Sequence, residues 1–84
     1  MYYVYVLRSL KDNQFYIGYS KDLKKRKFEH DSGLVCSTKN RQPLNIVYYE
    51  ACLNQKDALH REKYLKSSWG KRYIKQRLDN YLTG

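Results

Sequence analysis

The chain has 84 residues, of which 17 are Lys or Arg and 8 are Asp or Glu, so its net charge is +9. A chain of this length forms one domain, which we place at residues 1–84, and it buries only about 60% of its unfolded surface. The absence of a long apolar run excludes a membrane-spanning helix, and no membrane partner is expected. The charge, together with ten tyrosines, favours a nucleic acid as the partner.

Cys36 and Cys52 lack the C-x-x-C spacing of a metal or redox site, and no signal peptide is recognisable. We therefore expect two free thiols in a cytoplasmic protein, with no catalytic role for either of them.

The first part of the chain predicts a hairpin followed by a helix. Tyrosine-rich and β-branched segments at 2–7 and 14–20 are typical of strands, and an Asp-Asn turn signal separates them. Ser20 or Asp22 can cap a helix that ends near Asp31.

The second part predicts one more strand and two more helices. A polar loop leads to a strand at 46–52, and Asn54 caps a helix that ends near Ser67. Gly70 marks a break or bend before a last, basic helix at 71–82. The order ββαβαα predicts an α+β fold, an α/β sandwich in which helices flank a three-stranded, mainly antiparallel sheet.

Gly18 is unfavourable inside the second strand, because a glycine there loses entropy and packing. Alternation along the strand puts Tyr16 and Gly18 on one face and Ile17 on the other. We therefore expect open space beside the Tyr16 hydroxyl, where a backbone or a ligand such as a DNA phosphate can come close. A bulge or a packing glycine explains Gly18 equally well when it is taken alone.

The first helix has only two large apolar residues, Leu23 and Phe28, and their spacing does not make an apolar stripe. Arg26 and His30 lie one turn apart, so they can converge on one ligand. The alternative is a solvated helix with ordinary surface charges.

The second helix has a glutamate on its apolar face. The spacing i, i+4, i+7 and i+11 selects an inward face of Ala58, Glu62, Leu65 and Trp69. A glutamate is rarely buried without a partner. Three explanations stay open: an ion pair with an arginine, a rotated helix with Leu59 inward, and a metal ligand or general base in a cleft.

The same residues resemble the motifs of the GIY-YIG nuclease superfamily, in order and over essentially the whole chain. Tyr-Ile-Gly at 16–18 matches the second strand motif, whereas Tyr-Val-Tyr at 3–5 keeps only the last tyrosine of the first. Arg26 and His30 match the signature of the next helix, and Glu62 follows an alanine and an arginine as in the family. The likeness is to short stand-alone bacterial members related to the N-terminal endonuclease domain of excinuclease C.

The resemblance implies hydrolysis of DNA phosphodiester bonds with a single Mg²⁺ or Mn²⁺ ion. Glu62 would bind the metal, and Arg26 would hold the scissile phosphate. Tyr16 would act as the general base, with Arg26 and the metal favouring its deprotonation. Tyr5 would orient the water or Tyr16, and His30 would share the proton transfer, so the base among these three residues stays open.

The resemblance also implies a structural role for Gly18, as the floor of the site, and contacts between basic side chains and the DNA backbone. The candidates for these contacts are Lys24, Lys27, Lys66, Lys71, Arg72 and Lys75. Many family members have an asparagine on the helix after the glutamate, for which Gln76 and Asn80 are the nearest candidates, and neither is an assured match.

An alternative function is a nucleic-acid-binding module without catalysis, or one that needs a partner protein for specificity. Such a module needs the same charge and tyrosines, but neither Glu62 nor Arg26 in particular. RNA is the less expected partner, because neither an RNP-type motif nor a GXXG loop is present. The expected substrate is therefore DNA, branched or damaged forms included.

Overall fold

The computed structural model describes residues 1–84 as three strands and four helices. The strands are β1 (Tyr2–Ser9), β2 (Phe15–Ser20) and β3 (Leu44–Cys52). The helices are α1 (Leu23–Asp31), α2 (Gln55–Leu65), α3 (Ser68–Arg77) and α4 (Asp79–Thr83). The predicted α+β fold is confirmed, and both strand pairings are antiparallel in the order β2-β1-β3.

The central strand β1 is buried on both faces. Val4 and Val6 point to one face, and Tyr5 and Leu7 point to the other, because side chains alternate along a strand. The valines pack against α2 and α3 through Ala58, Leu65 and Ile74. The other face packs against Leu23 of α1 and against Leu44 of β3. The sheet therefore separates α1 from the α2–α3 pair.

A polar residue anchors α1 to the sheet. The Asp22 side chain accepts the Lys25 backbone N–H at 3.1 Å, so Asp22 is the cap of the two predicted candidates. His30 is the single buried residue of α1, at 4% exposure, whereas Phe28 is 67% exposed. The helix is thus neither solvated on all sides nor held by an apolar stripe.

The predicted break at Gly70 is wrong, because α2 ends at Leu65 and Gly70 lies within α3. A Cβ atom on Gly70 would lie 2.2 Å from the Tyr64 carbonyl oxygen and 2.3 Å from the Leu65 Cα. The glycine therefore allows α3 to cross the end of α2 at close range. The chain turns at Ser67, whose Oγ accepts the Gly70 N–H at 3.2 Å.

The early end of α2 also changes the position of Trp69. The inward spacing of α2 does not extend past the turn, and Trp69, as a residue of α3, is 67% exposed. Its predicted place on the inward face is wrong. The predicted last helix is two helices, α3 and α4, which meet at Leu78. No helix in the chain has both the length and the apolar character that crossing a membrane would require.

Candidate active site

One cavity of about 740 Å³ runs along the edge strand β2. The cavity wall includes the five residues for which the sequence suggested direct roles in chemistry: Tyr5, Tyr16, Arg26, His30 and Glu62. These residues come from β1, β2, α1 and α2, so only the folded chain brings them together. The volume is in the range typical of ligand sites in proteins.

The Tyr5 hydroxyl lies between two side chains of α1. Its oxygen is 2.9 Å from His30 Nε2 and accepts a hydrogen bond from Arg26 Nε at 3.3 Å. Arg26 and His30 thus converge, as their spacing predicts, and they converge on a side chain of the sheet. Burial raises the pKa of Tyr5, and the Arg26 guanidinium offsets part of this rise. The hydroxyl is therefore protonated at neutral pH and can donate to His30.

His30 is held between two hydroxyl groups. Its Nδ1 is 2.6 Å from the Oγ1 of Thr38, which is also buried. With Tyr5 as the donor to Nε2, the matching tautomer has the ring hydrogen on Nδ1, which then donates to Thr38. Burial, and then the charge of Arg26, lowers the pKa of His30. The imidazole is therefore neutral at pH 7 and is able to accept a proton.

Thr38 was not predicted as a site residue. It comes from the polar loop between α1 and β3, in which no sequence pattern distinguishes it from its neighbours. The loop is tied down by hydrogen bonds from Ser9 Oγ to the Arg41 carbonyl at 2.6 Å and from Gln42 Nε2 to the His30 carbonyl at 2.8 Å. These contacts place Thr38 beneath the imidazole.

The open space predicted above Gly18 is filled. Gly18 pairs directly with Tyr5 in the sheet, and a Cβ atom on Gly18 would lie 2.3 Å from the Tyr5 hydroxyl oxygen and 2.4 Å from Cζ. The phenol ring of Tyr5 thus occupies the place that we predicted for a phosphate beside Tyr16. Alternation along β2 was predicted correctly, because Tyr16 packs on the Tyr5 side of the sheet and Ile17 on the Val4 side, but the neighbouring strand supplies the group that needs the space beside Gly18.

Tyr16 and Arg26 have separate partners. The Tyr16 hydroxyl donates to Asp12 Oδ2 at 3.4 Å, and Asp12 also pairs with Arg41 at 3.3 Å. Arg26 donates from Nε to Tyr5 and from Nη1 to Glu29 at 3.3 Å. The predicted help of Arg26 in deprotonating Tyr16 is therefore not supported by a contact, and the guanidinium acts on Tyr5.

Glu62 lies on the inward face of α2, with its side chain 20% exposed between the buried residues Ala58 and Leu65. Its Oε2 is 3.3 Å from the Nζ of Lys66, so its counter-ion is a lysine and not an arginine. Glu62 is the one carboxylate on the cavity wall, and the chain contains no cluster of three His, Cys, Asp or Glu residues that could hold a metal.

Three of the six basic residues predicted to contact DNA lie on the cavity wall: Lys66, Lys71 and Lys75. Arg72 lines a second groove instead. On α1, Lys24 is exposed, and Lys27 forms an ion pair with Asp31 at 2.7 Å. Gln76 lines the second groove and Asn80 belongs to α4, so neither candidate for the family asparagine lines the cavity.

A second cluster, which was not predicted, holds α2 in place. Arg61 donates to both carboxylate oxygens of Glu50 at 2.9 Å, and its guanidinium lies 4.7 Å from the centre of the Tyr73 ring. Burial raises the pKa of Glu50, but the hydrogen bonds from Arg61 and Tyr48 lower this pKa by more. The net shift of the Glu50 pKa is therefore downward. This pair joins α2 to β3 beside the residue that precedes Glu62.

We expect a small nuclease to have tyrosine, arginine, histidine and glutamate side chains on one cavity beside a three-stranded antiparallel sheet. The sequence model described as the GIY-YIG catalytic domain matches residues 1–74. The chain belongs to this family, whose domain is a nuclease domain.

The relatives found by sequence comparison include bacterial UPF0213 proteins. The relative from Staphylococcus saprophyticus is 37% identical over 67 residues, which are 79% of this chain and 80% of that protein. The relative from Clostridium perfringens is 39% identical over 67 residues, 79% of this chain and 71% of its own. The relative from Listeria innocua is 30% identical over 83 residues, 98% of this chain and 86% of its own. No solved structure gives a significant match.

Proposed function

We propose that this protein is a divalent-metal-dependent endonuclease that hydrolyses phosphodiester bonds in DNA. The observation that carries the proposal is that Tyr5, Arg26, His30 and Glu62 line one cavity, with three lysines on the same wall. A buried histidine between two hydroxyls and a carboxylate on the inward face of a helix both favour chemistry over simple packing. The positive charge of the wall suits a polyanionic substrate.

The residues of the cavity fit a hydrated divalent cation. Mg²⁺ or Mn²⁺ bound at Glu62 would take its other ligands from water and from phosphate oxygens, as Mg²⁺ commonly does. A fully protein-ligated metal does not fit, because Glu62 has no second carboxylate beside it. When bound, the cation would stabilise negative charge on the leaving oxygen. Lys66 already neutralises Glu62 and would have to give way.

Arg26 is suited to hold the scissile phosphate. Two of its N–H groups are engaged by Tyr5 and Glu29, which hold the guanidinium in place beside the cavity. The remaining N–H groups can bind a phosphate with little loss of side-chain freedom, since the fork is already oriented.

We assign proton transfer to the Tyr5–His30 pair, with Tyr16 as the alternative base. The attacking water gives its proton to the Tyr5 oxygen while Tyr5 passes its own proton to His30 Nε2. The water oxygen bonds to phosphorus, and the bond from phosphorus to the leaving oxygen breaks. The leaving oxygen keeps the electron pair of the broken bond, Tyr5 ends as a neutral phenol hydrogen-bonded to Arg26, and Thr38 accepts from the imidazolium.

The direct test is nicking of supercoiled plasmid DNA in Mg²⁺ or Mn²⁺. Glu62→Gln removes the metal-binding charge with little change of shape, so we expect activity to be lost. Asp57→Asn is the matched control, because it removes an exposed carboxylate from the same helix, outside the cavity. Full activity in Glu62→Gln, with both variants folded, would refute the assignment.

The base is identified by two further variants. Tyr5→Phe should reduce the rate by about 10²- to 10⁴-fold, the range for loss of general-base catalysis. Tyr16→Phe should have the smaller effect, because its hydroxyl contacts Asp12 and not the imidazole. The reverse order would make Tyr16 the base.

A second candidate function is nucleic-acid binding without catalysis, alone or with a partner protein that supplies specificity. The ion pair of Glu62 with Lys66 favours it, because the carboxylate is already neutralised. Binding that survives a chelator, with no cleavage of duplex DNA, branched DNA or RNA in any divalent metal, would support this alternative.

A further inference from the structure

Trp69 is the one tryptophan of the chain, and it is exposed. The buried residues of α3 are Gly70 and Ile74, so the indole does not anchor the helix. Its aromatic contact is with Arg72, whose guanidinium carbon lies 5.2 Å from the centre of the indole. Two planar groups, one aromatic and one cationic, are thus stacked together on the solvent side of α3.

The stacked pair adjoins a polar groove of about 490 Å³. No hydrophobic residue lines the groove, which is formed by Ser68, Lys71, Arg72, Lys75, Gln76 and Asp79. Asp79 is its one acidic residue, against three cations. Lys71 and Lys75 also line the candidate active-site cavity, so groove and cavity share a basic wall. A strand of DNA bound in the cavity can therefore continue along this wall towards Trp69.

We propose that Trp69 and Arg72 form a stacking platform for unpaired bases, and that the substrate is DNA with a single strand beside a duplex. A basic groove that follows the phosphates, next to an aromatic ring that stacks with bases, is the usual design of single-strand binding. Guanidinium planes also stack with bases. A duplex keeps its bases paired and presents mainly its phosphates. The proposal rests on the proposed function, since it extends the substrate from the same cavity.

Binding measured in EDTA tests the platform without any cleavage. The probes are fluorescein-labelled oligothymidine, an abasic strand of the same length and a blunt-ended hairpin duplex whose loop is a non-nucleotide linker, followed by anisotropy at low salt. Trp69→Ala should weaken oligothymidine binding by roughly 5- to 100-fold. Binding of the hairpin and of the abasic strand should stay unchanged. Trp69→Tyr keeps an aromatic face and should restore most of the affinity.

Phe28→Ala is the matched control. Phe28 is exposed to the same 67% as Trp69, but it lies on α1 and lines neither the cavity nor the groove. Its loss should leave the binding of all three probes unchanged.

The emission of the single tryptophan gives a second readout. Oligothymidine should quench it by stacking, and the abasic strand should not. Equal quenching by both strands, or equal weakening of oligothymidine and hairpin in Trp69→Ala, would overturn the proposal. If the protein cleaves plasmid DNA but Trp69 has no effect on strand preference, the stacking platform is refuted and the nuclease activity is supported. If binding depends on Trp69 but no DNA is cleaved, the platform is supported and the nuclease activity is refuted.

Discussion

Gly18→Ala tests the closest packing in the site. The added Cβ would lie 2.3 Å from the Tyr5 hydroxyl oxygen and 2.4 Å from Cζ, distances at which something must move. Tyr5 cannot move cheaply, because it is only 3% exposed and its hydroxyl is hydrogen-bonded to both His30 and Arg26. We therefore expect the substitution to displace the ring and to break these contacts.

The expected loss of stability is large for a chain of this size. Overpacking costs about 1–3 kcal/mol, and a lost hydrogen bond to a charged group costs about 1.5–3 kcal/mol. Alanine gains about 0.5–1 kcal/mol over glycine within a strand. The net destabilisation is about 2–5 kcal/mol, and each kcal/mol lowers the Tm of a domain this small by about 4–8 °C.

A double-mutant cycle with Tyr5→Leu isolates the clash, measured by urea unfolding. Leucine has no atoms at the positions of Cζ and the hydroxyl, so Gly18→Ala should cost little in that background, or even stabilise. The coupling should be about 2 kcal/mol or more, within the range for residues in contact. An equal cost of Gly18→Ala in both backgrounds would refute the explanation of Gly18 as a seat for the Tyr5 ring.

Two further predictions concern proton transfer and the placement of α2. Thr38→Val removes the acceptor of His30 Nδ1–H, so it should lower the cleavage rate roughly 10- to 100-fold. In the wild type, the acid limb of the pH–rate profile should lie below about pH 6.5, because the pKa of His30 is lowered. Thr38→Val should move this limb to still lower pH, because the imidazolium loses its hydrogen-bond acceptor. Thr38→Ser should restore both, and an unchanged profile in the valine variant would exclude His30 as the proton acceptor. Glu50→Gln should cost about 1–3 kcal/mol of stability at neutral pH, because it breaks a half-buried pair with Arg61. The pKa of Glu50 is lowered by folding, so the difference from wild type should be complete above about pH 4.3 and disappear as the pH falls through that lowered pKa. Equal unfolding midpoints of the two proteins at neutral pH would contradict this reasoning.

The local features of the chain were predictable from short stretches of sequence. The capping residues Asp22 and Asn54 start α1 and α2 as predicted. Alternation placed Tyr16 and Gly18 on one face of β2, and helical spacing brought Arg26 and His30 together. Each of these features depends on residues within a turn or two of one another, whose geometry the backbone sets directly.

Contacts between residues that are far apart in the chain could not be predicted from local sequence patterns. Periodicity left Glu62 open between an ion pair, a rotated helix and a metal ligand or general base, and the resemblance to a nuclease family was needed to favour the metal ligand. The inward spacing of α2 was extended to Trp69, although the chain turns before reaching it. The glycine that was interpreted as a break in fact lies where one helix crosses another.

The sequence by itself therefore determined the strands, the starts of α1 and α2, the basic charge and the residue types that line one cavity. Only the tertiary structure decided that Tyr5 fills the space over Gly18, that Thr38 orients His30, and that Trp69 faces solvent. The physical reason is that these contacts join residues from separate elements. They follow from strand register and from the angle at which helices cross, which no local spacing encodes.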